Sequence, residues 1–211
     1  GEKPKIKKVV VKVIPDNQTR ILALEKGEID LIFGKNMVDA DAIRKFKEMK
    51  GFQADLSEPT STRQIVINTT KPHLKDKNVR VALQHATDKA KISEGIFYGL
   101  EKPADTLFAK SVPYANIDLK PYEFSETIAK QKLTESGYVL GADGIFTKDG
   151  QPLELTLLYN SDSVTEKSIS EFLQAEYKKV GIKLNIKGEE EQSYRDKMKS
   201  GNFDLVFNIS W

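Results

Sequence analysis

The sequence predicts an α/β protein built on parallel β-sheets, because the same short phrase closes two strand–helix–strand patterns. Residues 27–33 read GEIDLIF and residues 201–207 read GNFDLVF. In each copy a lysine-containing helix end meets Gly, which ends a helix by adopting left-handed backbone angles. Apolar strand patterns precede the two helices at residues 6–14 and 182–187. Each copy therefore predicts a βαβ unit, and such units build parallel sheets.

The distance between the two units indicates a binding architecture. In open parallel sheets, ligands bind beyond the carboxyl ends of the strands. Two units about 170 residues apart therefore predict two sheets that face each other across a cleft. A short echo of this kind also arises by chance, so internal duplication and coincidence both stay open at this point.

Early in the chain, the pattern predicts one more helix and two more strands. Asp39 or Asp41 can cap a helix that reaches Met49, because both carry a side chain that accepts from backbone N–H groups. Residues 52–56 predict a strand. Residues 63–68 predict another, whose continuous apolar run is typical of a strand buried on both faces, such as one that crosses between two lobes.

Further along the chain, apolar spacing predicts four helices and a hairpin. The helices lie within residues 79–86, from a Thr87-Asp88 cap to Gly99, at residues 126–136, and in a long stretch that Gly181 ends. Asp149-Gly150 stands between two apolar alternations and is a strong hairpin signal. Residues 102–122 contain three prolines with apolar residues between them, which indicates an ordered loop.

The composition excludes several classes of protein. No apolar run approaches the roughly 20 residues that span a bilayer. The 33 basic and 31 acidic residues are interleaved along the chain, whereas a nucleic-acid-binding protein concentrates its basic residues. The lysines among residues 3–8 fit the solvent-exposed face of a strand better than a phosphate-binding patch. Without Cys, the chain has no disulfide, thiolate metal site or cysteine nucleophile.

The side chains that could carry chemistry do not assemble into a catalytic set. The sequence has no phosphate-binding glycine loop, no Gly-x-Ser-x-Gly turn and no paired-histidine zinc helix. We expect His73 and His85 to be structural or solvated. The three carboxylates of residues 189–191 cannot all face one cation from a helix start, and they fit the positive helix end instead. Asp30 and Asp204 are expected to bond local backbone.

Several segments resemble the large solute-binding proteins of peptide and nickel ABC importers. Residues 79–89 (VRVALQHATDK) and 24–30 (LEKGEID) carry the general resemblance, which runs along nearly all 211 residues. Residues 105–116 (DTLFAKSVPYAN) and 188–191 (GEEE) resemble the nickel-binding branch of that family.

The resemblance implies a periplasmic-binding-protein-like fold of type II, in which two hinged α/β lobes close on a ligand. Residues 1–62 would belong to lobe I, and residues 63–211 to lobe II without its carboxyl-terminal part. The implied function is the extracytoplasmic component of an ABC importer, which binds nickel chelated by a small organic molecule. It implies no enzyme activity and no cofactor beyond this ligand. We expect a monomer, periplasmic or lipid-anchored, with a membrane permease as its partner.

The same resemblance implies the ligand-binding residues. Trp211 would form the cleft wall, where a flat aromatic face packs on the chelate, and Tyr194 and Arg195 would approach the same cleft. Closure of an apolar strand edge is an alternative role for Trp211. No residue of the chain is expected to bind the metal directly, since the family's histidine follows this tryptophan and its chelator-binding arginines precede residue 1. Together with a strand pattern that runs to Trp211, this predicts a fragment with an incomplete site.

Two alternatives remain open. The first is a peptide-binding relative of the same family, whose cleft would be long and lined with acceptors for an extended backbone. The second is an enzyme or signalling domain built on the same lobes, for which the sequence offers no catalytic residues.

Overall fold

The computed structural model describes residues 3–34, 37–59, 61–108, 112–115, 117 and 119–210, with the backbone alone at 209 and 210. The chain divides into two compact units. The amino-terminal unit is Gly1–Ser57 and the carboxyl-terminal unit is Glu58–Trp211.

The amino-terminal unit contains two helices in its described part, α1 (Asn17–Glu25) and α2 (Ala40–Glu48). Asp39 is the N-cap of α2, and its side chain accepts a hydrogen bond from the Ala42 N–H at 2.8 Å. Of the two cap residues that the sequence allowed, the structure therefore selects Asp39. Ile21 of α1 packs against Ala42 and Phe46 of α2 in a small core.

The strands predicted for this unit are absent from its described residues. Residues 6–14, 31–33 and 52–56 lie outside any strand, so the prediction of a first βαβ unit is wrong in this structure. Val11 and Val13 are 83% and 87% exposed, and Phe33 is 90% exposed. A strand needs a neighbour that completes its backbone hydrogen bonds, and an apolar pattern predicts the tendency to form a strand without supplying that neighbour.

The carboxyl-terminal unit is an α/β structure. Its strands are β1 (Thr62–Ile67), β2 (Val139–Leu140), β3 (Phe146–Lys148), β4 (Gln151–Pro152), β5 (Glu154–Asn160), β6 (Lys183–Glu189) and β7 (Leu205–Ser210). Its α-helices are α3 (Lys77–His85), α4 (Lys89–Phe97), α5 (Glu126–Glu135), α6 (Val164–Lys179) and α7 (Glu191–Ser200). The four predicted helices are thus confirmed. Asp88 caps α4 and Ser163 caps α6.

Among the described residues, the main sheet has four strands in the order β1-β7-β5-β6. Strand β5 pairs in parallel with β6 on one side and with β7 on the other, and β1 runs antiparallel to β7. The predicted second βαβ unit is confirmed as β6, α7 and β7. Because β6 and β7 flank β5, α7 carries the chain across β5. The strand predicted at 63–68 is also confirmed, although every residue of β1 is only half-buried, since β1 lies at the edge of the sheet.

Alternate side chains of β5 place helices on both faces of the sheet. Leu155 and Leu157 join the main core, to which α3, α4, α5 and α6 contribute, whereas Leu158 packs with Tyr194 of α7 and with Val206. Both faces of β5 are therefore buried, as expected for the central strand of a parallel sheet.

A small second sheet, β2-β3-β4, contains the predicted hairpin. Asp149 and Gly150 join β3 to β4 with φ of 51° and 75°. Positive φ at both positions is characteristic of the type I′ turn, which suits the twist of a two-residue hairpin. The partner of β3 is residues 151–152, because the chain then continues into β5 of the main sheet.

In the second copy of the repeated phrase, residues 201–207, Gly201 ends a helix and Asp204 bonds a neighbouring strand. Gly201 ends α7 with φ of 70°, and the Asp204 carboxylate accepts a hydrogen bond from the Thr156 N–H of β5 at 2.9 Å. Asp204 therefore bonds a neighbouring strand, and the prediction of a local bond was wrong. In the first copy, Asp30 is exposed and lies outside any strand.

Asn68 ties the end of β1 to the start of β7. Its backbone N–H donates to the Asp204 carbonyl at 2.8 Å. Its side-chain amide donates to the carbonyls of Gly201 and Phe203, at 2.9 and 3.0 Å. These bonds connect parts of the chain that are more than a hundred residues apart, and they fix where β7 begins.

We predict that Asn68→Ala lowers the free energy of unfolding by about 1–3 kcal/mol, because two carbonyls lose their donor. Urea unfolding followed by circular dichroism measures the loss. Asn185→Ala, which removes an exposed amide bonded to Glu154, is the control and should change stability by less than about 0.5 kcal/mol. Equal effects of the two substitutions would contradict this role of Asn68.

Candidate functional site

The carboxyl ends of β5, β6 and β7 meet at one edge of the main sheet because the three strands are parallel. Helices α6 and α7 begin just beyond the ends of β5 and β6. Strand β1 starts at the same edge, since Thr62 pairs with Ser210. We call this region the carboxyl edge. It is where open parallel sheets bind ligands.

Asn160, the last residue of β5, links the two helix starts. Its backbone N–H donates to Glu166 Oε2 of α6 at 2.9 Å. Its side-chain amide donates to the Glu191 carboxylate of α7, which also accepts from Arg195 Nε. One asparagine thus connects β5 with the first turns of both helices.

Tyr194 lies at the carboxyl edge but is buried. Its side chain packs against Leu158 and Val206, the residue is 8% exposed, and its hydroxyl donates to the Phe207 carbonyl at 2.5 Å. Burial raises the pKa of the Tyr194 phenol far above its ordinary value, and the nearby carboxylates of Glu166 and Glu191 act in the same direction. The hydroxyl therefore stays protonated and serves as a donor to β7.

Arg195 has a different environment. Its side chain is 65% exposed, and the Glu191 carboxylate holds its Nε at the start of α7. An exposed guanidinium at this position can offer N–H groups to a carboxylate. The structure thus brings two of the three predicted site residues, Tyr194 and Arg195, to the same edge. The third, Trp211, lies outside the described residues.

Protein side chains already occupy the positive ends of the two helices. Ser163 accepts from the Glu166 N–H at the start of α6. The Glu190 carboxylate accepts from the N–H groups of Gln192 and Ser193 at the start of α7. These caps occupy one backbone donor at the start of α6 and two at the start of α7, where a helix start can otherwise bind an anion. The exposed guanidinium of Arg195 is a further donor at this edge.

The carboxylates of residues 189–191 point to separate partners. Glu190 caps α7, Glu191 bonds Asn160 and Arg195, and Glu189 accepts from Lys197, Ser193 and Lys187. The prediction that they complement the helix end is confirmed for Glu190. Among the described side chains, no group of three or more His, Asp or Glu residues could hold a metal ion.

Glu166 and Glu189 have opposite electrostatic environments. Burial raises the pKa of Glu166, and the neighbouring Glu191 adds to that effect, while the Asn160 N–H and Arg63 oppose it. Hydrogen bonds from Lys197, Ser193 and Lys187 lower the pKa of Glu189 from 4.5 to about 2. Glu189 is thus a stable anion, whereas Glu166 is held as an acceptor at an energetic cost.

Both histidines are structural, as the sequence predicted. His73 Nδ1 lies 2.6 Å from the Tyr138 hydroxyl, and His85 Nδ1 lies 2.8 Å from the Glu123 carbonyl. His85 is 8% exposed, and its ring meets the Tyr122 ring edge-on. Each side chain therefore serves the packing around it.

The loop that carries the nickel-type resemblance, residues 105–116, is described only at 105–108 and 112–115. In these parts Leu107, Phe108 and Tyr114 are exposed. Two open hollows border helices α3 and α4. One, of about 270 Å³, is lined by Lys77, Arg80 and Tyr122, and the other, of about 490 Å³, by Ile96 and Phe172.

Sequence reasoning missed Asn160, Glu166 and Glu191 as a connected set. The Asn-Ser-Asp-Ser run after β5 does signal a helix start. It does not reveal that Asn160 bonds Glu191, 31 residues later, because that contact depends on the strand order.

A sheet whose parallel strands bring polar side chains of several elements to one edge has the architecture in which α/β proteins bind ligands. The chain belongs to the bacterial extracellular solute-binding proteins, family 5, whose "Middle" family model matches residues 1–211. Within the described residues, no helix combines the length and apolar composition that crossing a membrane requires.

The relatives of known identity include metal binders and peptide binders. The "Nickel-binding periplasmic protein" of Escherichia coli K12 is 38% identical over the whole chain, which spans 41% of that protein. The crystal structure of NikA from Brucella suis in complex with Fe(III)-EDTA is 44% identical, with a TM-score of 0.94, over all of this chain and 43% of that one.

A peptide-binding relative is more distant. The oligopeptide-binding protein AppA from Bacillus subtilis, in complex with a nonapeptide, is 28% identical with a TM-score of 0.80, over 94% of this chain and 40% of that one. The chain therefore spans about two fifths of the length of each of these three relatives.

We predict that Glu189 makes the protein sensitive to acid. Because its folded-state pKa is lowered to about 2, the carboxylate contributes stability above pH 4.5, and this contribution is lost as the pH falls from 4.5 to about 2. The free energy of unfolding, measured from neutral pH down through this range, should fall less steeply with decreasing pH in Glu189→Gln than in the wild-type protein. Glu171→Gln, on the exposed side of α6, should keep the wild-type slope; an unchanged slope in Glu189→Gln would refute the assignment.

Proposed function

We propose that residues 1–211 form part of the extracytoplasmic solute-binding component of an ABC importer that takes up nickel as a chelate with a small organic molecule. The observation that carries this proposal is the 44% identity, over the whole chain, with a structure described as NikA in complex with Fe(III)-EDTA, a metal held by an organic chelator. The 38% identity with the nickel-binding periplasmic protein of Escherichia coli supports the same ligand class.

The carboxyl edge suits a chelate better than a bare ion. Among the described side chains no cluster of three or more metal-ligating groups exists, so the chelator would supply most of the metal's ligands. The exposed guanidinium of Arg195 would bind a carboxylate of the chelator, because its fork of N–H donors matches that group. Trp211, which follows β7 in the sequence, would pack its flat face on the complex. Tyr194 belongs to the same edge, and its contact with the ligand stays a prediction.

The chain would supply only a portion of this site. It spans 41% and 43% of the two nickel-type relatives, and the family resemblance places a metal-facing histidine and chelator-binding arginines in the parts outside residues 1–211. In the intact protein, residues 1–62 would belong to one lobe and residues 63–211 to the other. The lobes would close on the chelate, and the loaded monomer would dock on a membrane permease.

Peptide import is the second candidate function. The 28% identity with AppA in complex with a nonapeptide supports it, since a similar fold binds a peptide there. The lower identity makes it the weaker of the two candidates.

We predict that the full-length protein binds nickel with free histidine and does not bind short peptides. Arg195→Ala should weaken chelate binding about tenfold or more, because a charge-assisted hydrogen bond contributes about 1.5–3 kcal/mol. Isothermal titration calorimetry measures both. Lys199→Ala removes an exposed cation from the other end of α7 and should leave the affinity unchanged. Peptide binding without chelate binding would favour the second candidate.

We also predict that the 211-residue chain by itself does not bind nickel tightly, because part of the site would lie outside it. Calorimetry with nickel, in the presence and absence of free histidine, should detect no binding at micromolar affinity. Micromolar or tighter binding by this chain would contradict the proposal that its site is incomplete.

A further inference from the structure

The pairing of β5 with β7 stops before either strand ends. Their paired residues are Leu157 with Leu205 and Leu158 with Val206, yet β5 continues to Asn160 and β7 to Ser210. On its other side β5 stays paired with β6 as far as Asn160. The central sheet is therefore open between β5 and β7 at the carboxyl edge.

The register defines the next hydrogen bond that the two strands would form. N–H groups two residues apart on a strand point the same way. The Thr156 N–H faces β7, because it donates to Asp204, and so the Asn160 N–H also faces β7. In a parallel ladder continued from the Leu158–Val206 pair, the Asn160 N–H would donate to the Phe207 carbonyl.

Both members of that missing bond are satisfied by side chains instead. The Asn160 N–H donates to Glu166 Oε2 at 2.9 Å, and the Phe207 carbonyl accepts from the Tyr194 hydroxyl at 2.5 Å. Glu166 lies in the first turn of α6, and Tyr194 lies at the start of α7. The main-core side chains of α6 pack on one face of the sheet, and Tyr194 of α7 packs on the other.

This arrangement uses two side chains where a continued ladder would need none. It keeps the Glu166 carboxylate half-buried, where burial raises its pKa, and it uses a buried tyrosine hydroxyl to replace a backbone donor. A direct bond between Asn160 and Phe207 would satisfy both backbone groups without either side chain.

We propose that Glu166 and Tyr194 are positioning residues that hold the carboxyl ends of β5 and β7 apart, and that the notch between the strands is where the edge receives the bound chelate. The inference rests on the proposed function for the identity of the ligand. Tyr194 would then act through β7 and would not contact the ligand with its hydroxyl, because the hydroxyl donates to the Phe207 carbonyl.

The test uses the full-length protein with the double substitution Glu166→Ala and Tyr194→Phe. These changes remove the acceptor and the hydroxyl while keeping the helix and the aromatic ring. The two strands should then pair to their ends. Affinity for nickel with free histidine, measured by calorimetry, should fall at least about tenfold. The backbone amide of Ile209, which faces β5 in this register, should exchange more slowly with deuterium, because the longer ladder would supply its acceptor.

Two matched variants separate positioning from general stability. The control pair Glu171→Ala and Tyr177→Phe changes the same residue types on α6, away from the carboxyl edge; Tyr177 is a buried tyrosine bonded to Thr87. This control pair should keep wild-type affinity and the wild-type exchange rate of the Ile209 amide. Glu166→Gln keeps an acceptor for Asn160 and should retain chelate affinity within about twofold.

Wild-type affinity in the double variant would overturn the inference. Faster exchange of the Ile209 amide would also overturn it, because it would mean that the two side chains merely anchor β7. If the wild-type protein binds no nickel with histidine, the proposed function fails separately. The exchange measurement still decides the positioning role, since slower exchange supports it and unchanged exchange refutes it.

Discussion

The main sheet depends on how β7 is inserted between β5 and β1. At its start, the Asp204 carboxylate accepts from the Thr156 N–H of β5, and Asn68 at the end of β1 holds the turn that precedes β7. These bonds set the register of β7 against both neighbours. Every later feature of the carboxyl edge follows from that register, because it decides which groups of β5 and β7 face each other where the strands end.

At the carboxyl end of β7, its pairing with β5 stops, whereas its pairing with β1 continues. Glu166 and Tyr194 pair with the two groups of a bond that β5 and β7 would otherwise share, the Asn160 N–H and the Phe207 carbonyl. Asn160 also connects the starts of α6 and α7, through Glu166 and Glu191. A closed sheet would present an unbroken row of strand ends, whereas here the pairing of β5 with β7 stops at Leu158 and Val206. Ligand sites are concave, largely formed before the ligand arrives and lined with a few placed polar groups, and we propose that this opening is part of such a site.

The sequence predicted local structure well wherever the determining residues are close together. Asp39, Asp88 and the Asp149-Gly150 turn act within a few residues, and the elements they predict are present. The repeated phrase marks the limit of that reasoning. After Gly201 it leads into a paired strand, whereas after Gly27 similar residues leave Leu31 and Phe33 exposed and outside any strand. Strand formation depends on a neighbouring strand, which the local sequence does not specify. For the same reason the sequence did not predict the roles of Glu166 and Asn160, because those roles arise only from the strand order.

The proposed chelate site at the carboxyl edge is tested most directly by the position of the metal in crystals of the full-length protein grown with nickel and free histidine. Anomalous diffraction recorded at the nickel absorption edge locates the ion without assumptions about its ligands. We expect one nickel peak beyond the carboxyl ends of β5 and β7, on the side of Arg195. A peak elsewhere, such as the hollow lined by Lys77, Arg80 and Tyr122, with none at the carboxyl edge, would contradict it.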